Sequence, residues 1–212
     1  FKIDNTPMDG EMFDSQRFAA YGEKGVLLLM SDSTNVERRG HTPSEREVGT
    51  NLEQIIVKST GKVLVSTFAS SIPRIQQVVE IAERCDRRVV LSGRSMIRNC
   101  EVAAELGYLR LPRSFMTDSE KWQGLPPDRL MFLTTGSQGE PMSVLHRVAL
   151  NDHKTLKVNP GDTVILSSKF IPGNEKVISN LINHLYRRGA EVHYEKVAEI
   201  HVSGHASQEE LK

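Results

Sequence analysis

Val63-Leu64-Val65-Ser66-Thr67-Phe68-Ala69-Ser70-Ser71 decides the fold: an unbroken apolar run ends in small polar residues, and a helix start with Pro73 in its first turn follows. A strand buried on both faces reads as such a run, because no alternate position has to face water. The arrangement repeats along the chain. Leu27-Leu28-Leu29-Met30 runs into Ser31-Asp32-Ser33-Thr34-Asn35, and Val89-Val90-Leu91 into Ser92-Gly93-Arg94-Ser95. Leu130-Met131-Phe132-Leu133 runs into Thr134-Thr135-Gly136-Ser137-Gln138-Gly139-Glu140, and Val164-Ile165-Leu166 into Ser167-Ser168. Near the end, Val197, Ala198 and Ile200 lead into His201-Val202-Ser203-Gly204-His205.

Between these runs the period changes to that of a helix, as in Ile75, Val78, Val79 and Ala82. The spacing predicts strands over 26–30, 63–67, 88–91, 130–134, 163–167 and 192–194. Helices are predicted over 42–58, 72–84, 95–106, 143–150 and 173–188, the first capped by Thr42 with Pro43 and Glu45 completing its box. Residues 1–25 predict a loop, a short helix and a turn. Residues 107–129 break the rhythm, and Trp122, Pro126 and Pro127 predict a packed excursion with a short helix capped across Thr117 to Glu120. Strand alternating with helix predicts an α/β fold in three layers, a mostly parallel sheet with helices on both faces. In such a sheet the loops beyond the carboxyl ends of the strands line one crevice. Six loops rich in serine, threonine, glycine and histidine predict a site for a phosphate-rich ligand there.

His201 and His205 stand four residues apart, with Ser203 and Gly204 between them. Ser207 with Glu210 three residues later forms a capping box, which places both histidines in a turn between a strand and a helix. That turn offers backbone N–H groups, a hydroxyl and two groups that titrate near neutrality. Two histidines at this spacing also recur in loops where they only cap backbone groups; the repetition of the architecture favours a site. Asp32 has two readings, an Asx-turn residue or a site carboxylate. Arg74 follows Ser70-Ser71, Arg94 sits within Ser92-Gly93-Arg94-Ser95, and Arg147 and Lys169 follow later loops. Guanidinium groups so placed bind phosphate oxygens in pairs, or are plain solvated charge.

The gross numbers exclude several classes. Lys+Arg and Asp+Glu balance at 27 each, so nucleic acid could be met only by a local basic patch. Cys85 and Cys100 have no Cys-x-x-Cys spacing and predict reduced structural thiols in a cytoplasmic protein. No run has the length of a membrane helix and no leader peptide is visible. Gly136-Ser137-Gln138-Gly139-Glu140-Pro141 lacks the Gly-Lys-Ser/Thr of a nucleotide-triphosphate loop, and no Gly-x-Gly-x-x-Gly is present. The sequence opens on Phe1 without methionine and stops at Lys212 just inside a helix start, which predicts an excised piece of a longer protein.

Phe1-Lys2-Ile3-Asp4, Ser31-Asp32-Ser33-Thr34-Asn35, Phe68-Ala69-Ser70, Gly93-Arg94-Ser95-Met96, Thr134 to Pro141, Ile171-Pro172-Gly173-Asn174-Glu175 and His201-Val202-Ser203-Gly204-His205 together resemble the ribonuclease J family. That family is the bacterial and archaeal branch of the metallo-β-lactamase enzymes that carry a β-CASP insert. The resemblance covers essentially the whole chain. It implies a Rossmann-like β-CASP domain at 46–195, a flank of the metallo-β-lactamase domain at 1–45, and a return into that domain at 196–212.

The resemblance also implies roles. Asp32 and His205 match the family's proton-handling pair, as catalytic residues. His201, Ser203 and Gly204 match the loop that holds an RNA phosphate. Ser70 and Ser71 fall in the other nucleotide-contacting loop, with Arg74 and Arg94 as further phosphate contacts. The family uses two divalent metals, zinc or manganese, to activate water and neutralise the scissile phosphate. Its His-x-His-x-Asp-His motif and other metal ligands are absent from this sequence, so no metal residue is assigned and the piece alone is expected to hydrolyse nothing. The implied activity is hydrolysis of RNA phosphodiesters from the 5′ end, internally, or both, in RNA processing (rRNA included) and decay. The leaving 3′ oxygen needs a proton, which an imidazolium oriented by a carboxylate supplies. Both residues are expected in loops on one edge of the sheet. The expected partners are RNA and the rest of the same polypeptide, with no membrane; a homo-oligomer is left open. The rival reading is a non-catalytic α/β domain whose loops passively cradle a nucleotide or sugar phosphate.

Overall fold

The computed structural model describes every residue except 1, 9, 115 and 118–120. The chain divides into two compact units, Val48–His201 and the combination of Phe1–Glu47 with Val202–Lys212. In chain order the elements are α1 (Ser15–Lys24), α2 (Glu45–Lys58), β1 (Val63–Ser66), α3 (Ile72–Arg84), β2 (Arg88–Ser92), α4 (Arg94–Glu105), β3 (Leu130–Thr134), α5 (Val144–Ala149), β4 (Thr163–Leu166), α6 (Glu175–Arg187) and β5 (Glu191–His193). The expected cap across Thr117 to Glu120 rests on residues outside those described.

In the larger unit the five strands form one sheet, all parallel, in the order β2-β3-β1-β4-β5. The register sets Leu64 beside Phe132 and Val164, Val90 beside Phe132, and Val164 beside Val192. That row of one face packs on Leu145 and Val148 of α5 and on Ile178, Leu181 and Leu185 of α6. Because side chains alternate along a strand, Val63, Val65, Met131 and Ile165 point to the opposite face. Both faces are buried, which is why these segments read as continuous apolar runs. Each such Val, Leu or Ile contributes roughly 1.5–3 kcal/mol by leaving water. Trp122, in the irregular excursion, meets Phe132 edge-on with ring centroids 5.0 Å apart.

At the amino end of the sheet a buried ion pair joins the start of β1 to the start of β4. Lys62 Nζ lies 2.6 Å from Asp162 Oδ2, and Asp162 also accepts the N–H groups of Lys62 and Asn159.

The smaller unit contains α1, the first turn of α2 and a 3₁₀ turn at Gln208–Leu211. Asp14 caps α1 by accepting the N–H of Arg17 at 2.9 Å. Three expectations fail, two of them in this unit. Residues 26–30 form no strand; they are irregular, and Leu27 is fully exposed at 104%. Among the described residues no strand pairs with them, and an apolar run becomes a strand only where a neighbour completes its hydrogen bonds. The run before His201 is likewise no strand: β5 ends at His193, a turn follows, and 198–203 are irregular. Finally, Thr42 does not cap α2. The cap lies two residues later, where the hydroxyl of Ser44 accepts the N–H of Arg46 and Glu47 reaches back to the N–H of Ser44.

Candidate active site

His205 is held from four sides within the smaller unit. Its Nδ1 stands 2.8 Å from Asp32 Oδ1, its own N–H donates to the hydroxyl of Ser203 at 3.0 Å, and its carbonyl accepts from Thr42 and Asn35. The Thr42 contact is 2.9 Å and the Asn35 contact 3.4 Å. Backbone and ring are thus fixed together, while the His205 side chain keeps 45% and Asp32 30% of its exposure. A substrate could therefore reach the pair.

Asp32 takes both of its readings at once. Its Oδ1 accepts the N–H of Thr34 at 3.3 Å, an Asx-type turn that presents the same oxygen to His205. Neither residue follows a strand, so the expectation that both sit at strand ends on one sheet edge is corrected. Their meeting is made by the irregular chain around Thr42 and Ser207, whose hydroxyls lie 2.8 Å apart. Glu210 secures that chain, with Oε2 accepting the N–H groups of both Ser207 and Thr42 at 2.8 Å. Burial alone would raise the Glu210 carboxyl; the N–H groups of Ser207 and Thr42 and the Thr42 hydroxyl outweigh it and hold the carboxyl below its ordinary range. Glu209 adds a bond from the N–H of Gly40. Asn35 and Thr42, and the reach of Glu210 to Thr42, were missed as site supports because those partners lie more than 160 positions away. The box of Ser207 and Glu210 was the one local signal that this turn is ordered.

In the larger unit a cleft of about 660 Å3 opens at the carboxyl ends of β1, β2 and β3. Thr67, Phe68 and Ala69 line it from the first loop, Gly93, Arg94 and Ser95 from the second, and residues of the Thr135 to Val144 segment from the third. Arg94 is exposed, at the first turn of α4, and Glu140 faces the same cleft. Ser70 and Ser71 follow in the first loop; Ser70 is exposed and Ser71 stands at the start of α3. His201 closes this unit and is half-buried. Ser203 is buried and Gly204 exposed in the other unit.

Arg74 departs from its expected role. It is only 1% exposed, and its guanidinium donates to Gln77 Oε1, Ser167 Oγ and the carbonyl of Ile200. A guanidinium spent on protein oxygens under that burial is not a phosphate contact. The helix period carried the warning: Arg74 lies four residues before Val78 and seven before Ile81, on the inward stripe of α3.

Among the described residues no three histidine, cysteine, aspartate or glutamate side chains gather closely enough to hold a metal ion. No helix among them is long and apolar enough to cross a membrane. Both cysteines are free thiols.

An all-parallel five-stranded sheet with helices on its faces and polar loops at its carboxyl edge makes the larger unit an α/β domain of the β-CASP class; the family model described as Ribonuclease J, beta-CASP domain, matches residues 60–185. The chain is 50% identical over 212 residues to Ribonuclease J of Thermus thermophilus, covering all of this chain and 37% of that protein. It is 46% identical over 212 residues to Ribonuclease J of Synechocystis, covering 33% of it, and 43% identical over 210 residues to that of Mycolicibacterium smegmatis, covering 38%. The chain belongs to the ribonuclease J family. It spans about a third of the length of the curated relatives it matches.

Proposed function

We propose that this chain is the RNA-binding β-CASP portion, with metallo-β-lactamase flanks at 1–45 and 196–212, of a cytoplasmic ribonuclease that hydrolyses RNA phosphodiesters in processing and decay. The observation that carries the reading is the 2.8 Å contact between His205 Nδ1 and Asp32 Oδ1. A carboxylate on Nδ1 fixes the ring, leaving Nε2 to hand a proton to the leaving 3′ oxygen. Asp32 orients and does not itself take the proton, the division of labour of other carboxylate–imidazole pairs.

Each unit also supplies phosphate binders of its own. The Ser203 hydroxyl accepts the His205 N–H, so its own proton is not spent in that bond and can be offered to a phosphate oxygen. Gly204 is open, with nothing within 4 Å of where a Cβ would stand, which lets backbone approach a phosphate. In the larger unit the further phosphate contacts of this reading are His201, Arg94, Ser70 and Ser71. The family's two divalent ions, zinc or manganese, would supply an activated water and neutralise phosphate charge. The described residues do not fit such ions, and residues outside this sequence would hold them.

The test uses the full-length protein. Metal-dependent hydrolysis of RNA, abolished by chelator and strongly reduced in His205→Ala, is expected, whereas this chain alone should cleave nothing. Binding of a nucleotide or sugar phosphate without any RNA hydrolysis would instead favour the passive phosphate cradle.

A further inference from the structure

We infer that Arg74 and Ser167 form a clamp on the carbonyl oxygen of Ile200 that positions His201. The clamp is built from three parts of the larger unit. Arg74 Nη1 donates to the Ile200 carbonyl at 2.8 Å, and Ser167 Oγ donates to the same oxygen at 2.6 Å. Arg74 also donates to Ser167 Oγ, while its Nε is held by Gln77 at 3.0 Å. Two donors therefore converge on one acceptor and brace each other. Ser167 is fastened to the sheet through its N–H, which donates to the Ser66 carbonyl at 2.8 Å. The Ile200 side chain is fully buried, so the residue is pinned through its apolar end as well as its carbonyl.

The chemistry explains why a cation stands here. Burying a guanidinium is unfavourable before its hydrogen bonds form, and an apolar side chain of similar volume would fill the space more cheaply. What an apolar residue could not do is hold a carbonyl of irregular backbone. The 198–200 segment has no strand ladder, and side chains take the ladder's place. Asn51 of α2 donates to the Glu199 carbonyl at 2.9 Å, and Arg74 with Ser167 hold the next one. His201 is the residue that follows. Fixing the carbonyl before it fixes the start of its backbone, and an ångström of misplacement at a ligand contact costs up to about a hundredfold.

This assignment rests on the reading of His201 as an RNA-phosphate contact; Arg74 and Ser167 are positioning residues that touch no substrate. The experiment compares Arg74→Lys, Ser167→Ala, His201→Ala and the double variant Arg74→Lys/His201→Ala in the full-length metal-loaded enzyme, by steady-state kinetics on a 5′-phosphorylated RNA. Arg74→Lys and Ser167→Ala are expected to raise KM about tenfold while kcat stays within about twofold, as in His201→Ala, and the double variant should be no worse than His201→Ala alone. Ser167→Ala removes one hydroxyl and carries the test even if Arg74→Lys does not fold. Wild-type kinetics in both positioning variants, a fall in kcat at constant KM, or additive losses in the double variant would overturn the clamp. If His201→Ala itself leaves KM unchanged, the phosphate reading of His201 falls first; a raised KM there with silent Arg74→Lys and Ser167→Ala condemns the clamp alone.

Discussion

The Thr42 hydroxyl donates to the His205 carbonyl at 2.9 Å, although the two residues are 163 positions apart. The same hydroxyl lies 2.8 Å from that of Ser207, so one buried side chain ties His205 and Ser207 to the same point. Thr42→Val keeps the shape and removes both bonds, leaving a part-buried carbonyl with one fewer partner. The expected cost is about 1–3 kcal/mol of stability in the smaller unit, together with a loss of turnover in the full-length enzyme of about tenfold or less. Thermal unfolding and RNA hydrolysis measure the two effects, and an unchanged Thr42→Val in both would remove Thr42 from the account.

Glu210 makes the same loop sensitive to acid. Its carboxyl sits below the ordinary 4.5 because the bonds from Ser207 and Thr42 outweigh burial, which acts the other way. A carboxyl whose folded value is depressed stabilises fully above its unfolded value and loses that contribution as pH falls through the folded one. The difference in melting temperature between the protein and Glu210→Gln should therefore be widest near pH 7 and close as the pH drops below about 4.5. A difference that stays constant across that range contradicts the proposed bonding.

Much of the fold was legible in the sequence because a parallel sheet covered on both faces leaves a plain signature. Val63 to Val65, Leu130 to Leu133 and Val164 to Leu166 are apolar without alternation, and they are strands. Leu27 to Met30 carries the same signature and is not, since pairing is a property of the neighbour and not of the run. The candidate site was half legible. Asp32 and His205 could be named from motifs, but the residues that bring them together could not, because hydrogen bonds across more than 160 positions leave no local pattern. Arg74 and Arg94 gave the same local cue, an arginine after a polar loop. One faces the core and the other solvent, and only the helix period around Arg74 distinguished them.

At the far end of the sheet, Asp162 is expected to matter for stability and not for RNA. Removing it strands Lys62, whose side chain is 6% exposed, and orphans two N–H groups. Asp162→Ala should cost about 3–5 kcal/mol, and Lys62→Met less, since the Asp162 carboxylate keeps the N–H groups of Lys62 and Asn159 as donors. Denaturant titration checks the order. The backbone there has no slack either: a Cβ on Gly61 would stand 2.6 Å from the Gly161 carbonyl, so Gly61→Ala should destabilise as well.

Arg94 lines the cleft at the carboxyl ends of the strands with its side chain in solvent. As a phosphate contact it should act through charge. Arg94→Ala is expected to weaken RNA binding severalfold at low salt, with the gap closing as salt rises and the salt slope falling by about one. Equal affinity at low salt would return Arg94 to ordinary surface charge.

The pairing of Asp32 with His205 is the centre of the account, and turnover of the full-length enzyme tests it most directly. His205→Ala and Asp32→Asn should each lower kcat by about a hundredfold or more, the scale of a lost general acid. If the two act as one unit, the double variant should be little worse than His205→Ala alone. Fully additive losses, about ten-thousandfold for the pair, or a single variant at wild-type turnover, would contradict it.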